Sequence, residues 1–255
     1  MSQTPQRIVC LSAEAADWLW RLGAWESVVG ITAYFDLPPG APQKPRVSGF
    51  SSANVESVLR LDPDLVVAFS DVQAGIAAQL TLRGCSVLTT NQRTLEEIEQ
   101  TLSLLARCVN RTNEGEKLLQ EFHARLLAET PTSRRPRVYF EEWDRPLITG
   151  IAWVSELIER AGGEDVFGAL RFEGRAPDRI VTSAQILAAQ PELIFASWCG
   201  KPVFVKEIGA RAGWSSLPAV QNGRVFELPG SKILQPGFAL VHGYEEIKCR
   251  IRALD

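Results

Sequence analysis

Short apolar runs alternate along the chain with longer stretches in which apolar residues recur every three or four positions. Arg7-Ile8-Val9-Cys10-Leu11, Val28–Thr32, Leu65–Ala68, Val138–Phe140 and Leu193–Ala196 are short, mostly β-branched or aromatic runs, as expected of strands buried on both faces. The stretches between them carry helical spacing. Strand and helix patterns in alternation predict an α/β fold built on parallel sheets.

The pattern also repeats. Arg60-Leu61-Asp62-Pro63-Asp64-Leu65-Val66-Val67-Ala68 resembles Ala188-Ala189-Gln190-Pro191-Glu192-Leu193-Ile194-Phe195-Ala196, with Pro63 and Pro191 lying 128 positions apart. Each string reads as a helix end, a proline stop, an acid and a buried strand. Arg7-Ile8-Val9 pairs with Arg137-Val138-Tyr139. A helix ending at Gly23 pairs with one ending at Gly162-Gly163, and Arg83-Gly84-Cys85 pairs with Asn222-Gly223-Arg224. Four elements in one order predict two similarly built Rossmann-like lobes, residues 1–92 and 131–255. Between them, Leu95, Ile98, Leu102, Leu105, Val109, Leu118, Phe122 and Leu126 keep helical spacing without a proline from Thr94 to Glu129. This predicts one long connecting helix over 93–130, about 54 Å from Thr94 to Glu129 at 1.5 Å per residue and ending in the polar run Thr130–Pro136, with two helices broken near Asn110–Gly115 as the alternative. Such a strut would limit hinge motion and leave a ligand cleft between the lobes, at the carboxyl ends of the strands.

Composition narrows the function. Of 255 residues, 45% are apolar and 22% charged, and the net charge is −3, so there is no basic excess for nucleic acid. No run of 18 apolar residues predicts a membrane span. The five cysteines, Cys10, Cys85, Cys108, Cys199 and Cys249, are odd in number and scattered, as for free thiols. The opening MSQTPQ has no secretory-signal features. Together these lead to the expectation of a cytoplasmic protein; the alternative is a periplasmic or lipid-anchored one without its signal. The two histidines, His123 and His242, have no partner at metal-ligand spacing, so no metal site is expected. Nucleotide-loop, zinc-protease and nucleophile-elbow motifs are missing, and no catalytic residue or intrinsic cofactor is expected.

The expected strand ends carry aromatic rings flanked by small or polar groups: Tyr34-Phe35-Asp36; Phe50-Ser51; Phe69-Ser70; Glu142-Trp143-Asp144; and Trp198-Cys199. Tyr34, Phe50, Ser51, Phe69, Ser70, Glu142, Trp143, Trp198 and Cys199 are therefore the candidate ligand-binding residues, suited to a flat, partly apolar ligand. Pro38 and Pro39 would stiffen the segment that holds Tyr34 toward the ligand and Phe35 toward the lobe. Lys201 beside Cys199 could lower the thiol's pKa. An enzyme working through Cys199 or Glu142 is thus an alternative to pure binding.

The strings Tyr34-Phe35-Asp36-Leu37-Pro38-Pro39, Asn54-Val55-Glu56, Leu61-Asp62-Pro63-Asp64-Leu65 and Ala161-Gly162-Gly163-Glu164-Asp165 resemble the substrate-binding proteins of ABC importers with a rigid connecting helix, above all their cobalamin-binding branch. The resemblance runs nearly the whole chain. It implies non-catalytic binding of cobalamin or a related corrinoid by a monomer, with haem, a ferric siderophore or another chelate as the alternative. For a siderophore, Arg145, Arg175 and Arg179 could supply positive charge. By the same resemblance Tyr34 matches a ring-stacking aromatic, Phe50 and Phe69 stand where the family has tryptophans, and Trp143 falls within one residue of another. A further family tryptophan aligns near Asp178. Glu56 matches one of two acids that dock on the ABC permease, but the second falls on Ala184. That half-missing pair leads to the expectation of a carrier or sensor that does not work in ordinary periplasmic delivery.

Overall fold

A computed structural model describes residues 4–127 and 134–254. The chain divides into two compact units. The first comprises Met1–Gln92 and Glu96–Phe122, the second Arg93–Leu95 and His123–Asp255. The first holds a five-stranded, all-parallel sheet in the order β3-β2-β1-β4-β5, from β1 (Ile8–Cys10), β2 (Val28–Thr32), β3 (Arg46–Ser48), β4 (Leu65–Phe69) and β5 (Val87–Thr90). The second holds β6 (Arg137–Asp144), β7 (Leu147–Thr149), β8 (Glu164–Asp165), β9 (Leu193–Ala196) and β10 (Val225–Glu227). Its order is β10-β9-β6-β7, with β8 also on β6, and only β7 runs antiparallel.

The repeat read in the sequence reaches individual hydrogen bonds. Asp62 and Gln190, each just before the proline stop, both take a left-handed conformation, at φ 46° and 45°. Asp64 accepts hydrogen bonds from the Gln6 and Arg7 amides (2.7 and 3.0 Å). At the matching place Glu192 accepts from the Arg137 amide (3.3 Å). Each acid thereby ties the entry of an inner strand to its neighbour: β4 to β1 in one unit, β9 to β6 in the other. The paired glycines share a role as well. Gly23, Gly84, Gly162 and Gly223 all have positive φ and close helices with the same pair of bonds, such as Gly162 N–H to Glu159 C=O and Gly163 N–H to Ile158 C=O.

The long connecting helix is corrected. The segment forms two helices, Leu95–Cys108 and Thr112–Arg125. Asn110 takes φ 54°, and the Asn110 and Arg111 amides bond back to Arg107 and Ala106 (3.2 and 2.7 Å). This is the helix-ending geometry of the four glycines, with asparagine in the left-handed position. The chain then turns back: a Cβ on Gly115 would lie 2.6 Å from that of Ala106, so the two helices meet where only glycine fits. The expected polar end of the connector lies outside the described residues from Thr130 to Ser133. Among the described residues no helix is long and apolar enough to cross a membrane.

Candidate functional site

In the first unit the loops after β1, β2, β3 and β4 emerge at one edge of the sheet, because all its strands run parallel. Two side chains not singled out from the sequence fix these loops. Gln73 is buried; its Oε1 accepts from the Phe69 amide (2.9 Å), and its Nε2 donates to the carbonyls of Leu11 (3.0 Å) and Phe50 (2.8 Å). One amide thus joins the ends of β1, β3 and β4. Arg46 donates to the carbonyls of Thr32, Ala33 and Phe35 (3.2, 2.7 and 3.1 Å), clamping the turn that carries Tyr34. Nothing in a lone Gln or Arg at these positions signals such work; it depends on which carbonyls the fold leaves free.

The aromatic residues divide by exposure. Tyr34 and Phe50 remain 46% and 42% exposed on neighbouring loops, after β2 and β3. Phe35 is buried, its ring 5.8 Å from that of Trp25. Downstream, the Ala41 amide bonds to the Pro38 carbonyl (3.0 Å) around Pro39 and Gly40, the latter at φ 82°, a tight turn that these two residue types favour. Phe69 and Ser70 turn inward, at 6% and 1% exposure, so Phe69 is a core ring. Ser70 adopts φ 57°; its hydroxyl accepts from the Val72 amide (3.2 Å). Ser51 is exposed beside Phe50. A polar pocket of about 410 Å³, lined by Thr90, Asn91, Gln92, Glu97, Gln100 and Thr101 among others, opens beyond β5 and includes none of the candidate residues.

In the second unit the residues expected beyond the first strand, Glu141 to Asp144, are part of β6 itself, which runs on into the hairpin to β7. Both glutamates are ion-paired. Glu141 is fully buried and bonded by Arg211 (Nη1 2.5 Å, Nη2 2.9 Å) and by the Trp198 indole (3.1 Å). Glu142 accepts hydrogen bonds from Nη1 and Nη2 of the buried Arg179 (2.7 and 3.0 Å). A register shift in the β6–β7 pairing between Glu141 and Trp143 accompanies this arrangement of neighbouring acids. Trp198 is 5% exposed and belongs to the core, whereas Trp143 is half-buried against it. Lys201 lies over both rings, 4.2 Å from the Trp143 centroid and 4.7 Å from that of Trp198, and is ion-paired with Asp144. Cys199 is exposed, but its thiol pKa is raised by partial burial and by Glu142, opposite to the lowering expected from Lys201. Phe204, further along the same loop, is 53% exposed and was not singled out from the sequence.

The remaining expected residues are also accounted for. Arg175 is paired with Asp178 (2.8 Å), and Arg145 is exposed in the hairpin. Glu56 pairs with Arg83 (2.8 Å) on the surface of the first unit. Ala184 lies in the first turn of the helix Ser183–Ala189, the counterpart by the repeat of Val55–Leu59, which carries Glu56.

Residues 8–231 match the family described as periplasmic binding protein. The vitamin B12-binding protein of Vibrio cholerae serotype O1 (strain ATCC 39541 / Classical Ogawa 395 / O395) is 27% identical over 248 residues, covering 95% of this chain and 87% of that protein. The solved periplasmic vitamin B12 binding protein of Vibrio cholerae has a TM-score of 0.74 at 24% identity over 98% of each chain. The periplasmic heme-binding protein of Roseiflexus sp. RS-1 has a TM-score of 0.80 at 20% identity, over 97% of this chain and 98% of that one. At such identities the solved structures show a shared fold. The expectation of a cytoplasmic protein is overturned by these findings, since the matched family and both solved structures are described as periplasmic. Free, scattered cysteines and the first residues of the sequence do not report the compartment. With residues 8–231 matched, the chain belongs to the periplasmic binding protein family.

Proposed function

We propose that this protein binds cobalamin or a related corrinoid without chemically changing it, using aromatic side chains on its strand-end loops, and that it delivers this ligand to an ABC permease. The observation that carries the reading is the pair of exposed rings, Tyr34 and Phe50, on adjacent loops at the carboxyl edge of the first sheet, with loop backbones held by Arg46 and Gln73. Exposed rings on a fixed backbone suit stacking on a flat macrocycle, because little loop entropy remains to be lost on binding. The name of the Vibrio relative supports the corrinoid as first choice.

Binding rather than catalysis is supported by the state of the two groups an enzyme would use. Cys199 is shifted away from the thiolate, and Glu142 is held by Arg179. On the permease side, Glu56 is the surface acid through which docking would run, and Ala184 removes its counterpart on the second unit. Docking would therefore lean on the first unit.

The test is a set of visible-absorption titrations of the purified protein with cyanocobalamin, haem and a ferric siderophore. Saturable binding of cyanocobalamin in preference to the other two is expected. Binding of haem or the siderophore with no response to any corrinoid would refute the ligand assignment.

A further inference from the structure

Lys201 is held as a ligand would be. Its ammonium faces the rings of Trp143 and Trp198 at 4.2 and 4.7 Å, and a carboxylate oxygen of Asp144 accepts a hydrogen bond from it. Both rings are fixed by their own indole N–H groups: Trp198 donates to the buried Glu141 (3.1 Å) and Trp143 to the Arg145 carbonyl (3.0 Å). Asp144 is tuned to match. Burial works against its charge, but the hydrogen bond and charge of Lys201 prevail and hold its pKa below the usual value. Two ring faces and a carboxylate around one ammonium is the chemistry by which proteins capture organic cations. Here the cation comes from the chain itself, three residues after Trp198, and its side chain stays 36% exposed, so it has a way out.

We propose that Trp143, Trp198 and Asp144 form an alkylammonium site whose resident occupant is Lys201, and that a ligand stacking on Trp143 must first evict this lysine. The site itself stands on the geometry alone; the eviction rests on the corrinoid reading given above. Lys201 then opposes ligand binding, contrary to the ordinary expectation for a cation beside a candidate site.

Truncating the side chain separates these ideas. Lys201→Ala leaves an opening shaped like an alkylammonium ion. Addition of n-propylammonium chloride, which replaces the three carbons and the nitrogen removed, should raise the thermal midpoint of Lys201→Ala and shift its tryptophan fluorescence. The wild type and the double variant Lys201→Ala/Trp143→Ala should not respond. Lys201→Ala should also bind cyanocobalamin about tenfold more tightly than the wild type, and n-propylammonium should reverse the gain. Should Lys201→Ala fold poorly, the wild type still gives an answer by NMR. One lysine ε-methylene resonance should lie upfield of the others through ring shielding, and it should move to the common position when cyanocobalamin is added. A folded Lys201→Ala that ignores the amine, or a wild type without the shielded resonance, overturns the ammonium site. An amine response combined with unchanged or weaker cyanocobalamin affinity overturns the eviction alone. Failure of the wild type and Lys201→Ala to bind any corrinoid overturns the eviction and the proposed ligand together, while the amine titration still decides the ammonium site.

Discussion

Glu14 offers a stability test that follows from one buried atom. It lies in the first turn of the helix Ala13–Arg21, directly after β1; it is 5% exposed, and its Oε1 has no hydrogen-bond partner. Burial pushes its pKa from an ordinary value near 4.5 up to about 7, with Asp17 adding repulsion; the Ser12 hydroxyl and the Glu14 amide pull the other way without prevailing. The groups facing it are thus Asp17 and Ser12, with the buried Cys10 thiol also within its field. Folding raises the pKa, so the acid's contribution is fully present below about pH 4.5 and is lost as pH rises through about 7. At about 1.36 kcal/mol per decade, the full swing is about 3 kcal/mol, of which about 2–3 kcal/mol falls between about pH 5 and pH 8. Glu14→Gln keeps the shape and removes the titration. Relative to the wild type it should therefore gain about 2–3 kcal/mol on going from about pH 5 to pH 8. Hydrogen exchange of the buried β1 amides, with both proteins compared at each pH, measures opening of the first unit without requiring the two units to unfold together. An equal difference between variant and wild type at both pH values would refute the reasoning, because Glu14 would then titrate alike folded and unfolded.

Three further outcomes separate surface from core. Tyr34→Ala and Phe50→Ala should each weaken cyanocobalamin binding by about 1–3 kcal/mol, measured by calorimetry, with a smaller change in thermal midpoint than a core ring gives, since both remain exposed. Phe69→Ala should instead cost about 3–5 kcal/mol of stability in denaturant unfolding, as expected for a buried ring. Arg211→Met leaves the fully buried Glu141 without its cation and should cost about 3–5 kcal/mol, with altered tryptophan emission because Trp198 shares that carboxylate; Arg211→Met/Glu141→Gln should recover much of the loss.

Local backbone rules made much of the fold legible in the sequence. Pro63 and Pro191 mark equivalent strand entries because a proline cannot continue a helix past its first turn, and the following acids, Asp64 and Glu192, each tie a strand entry to the strand beside it. A break near Asn110–Gly115 stood in the sequence as the alternative to one continuous helix: no proline marks it and the apolar residues on each side keep helical spacing, while asparagine holds the left-handed position that glycine takes at Gly23, Gly84, Gly162 and Gly223. The candidate rings were legible as a set, but their exposure was not. Phe50 and Phe69 look alike in sequence, yet one is 42% and the other 6% exposed, because Phe69 still belongs to β4 while Phe50 has left β3. The supports could not be read at all. Gln73, Arg46 and the Lys201 cluster depend on carbonyls and rings brought together from separate strands.

The central claim is tested most directly by calorimetric titration of the purified wild type and of Tyr34→Ala/Phe50→Ala with cyanocobalamin. The account predicts saturable one-to-one binding by the wild type and a loss of affinity of about thirtyfold or more in the double variant, the equivalent of at least about 2 kcal/mol. Absence of binding by the wild type would contradict the assignment of the ligand, and equal binding by both proteins would contradict the assignment of the site.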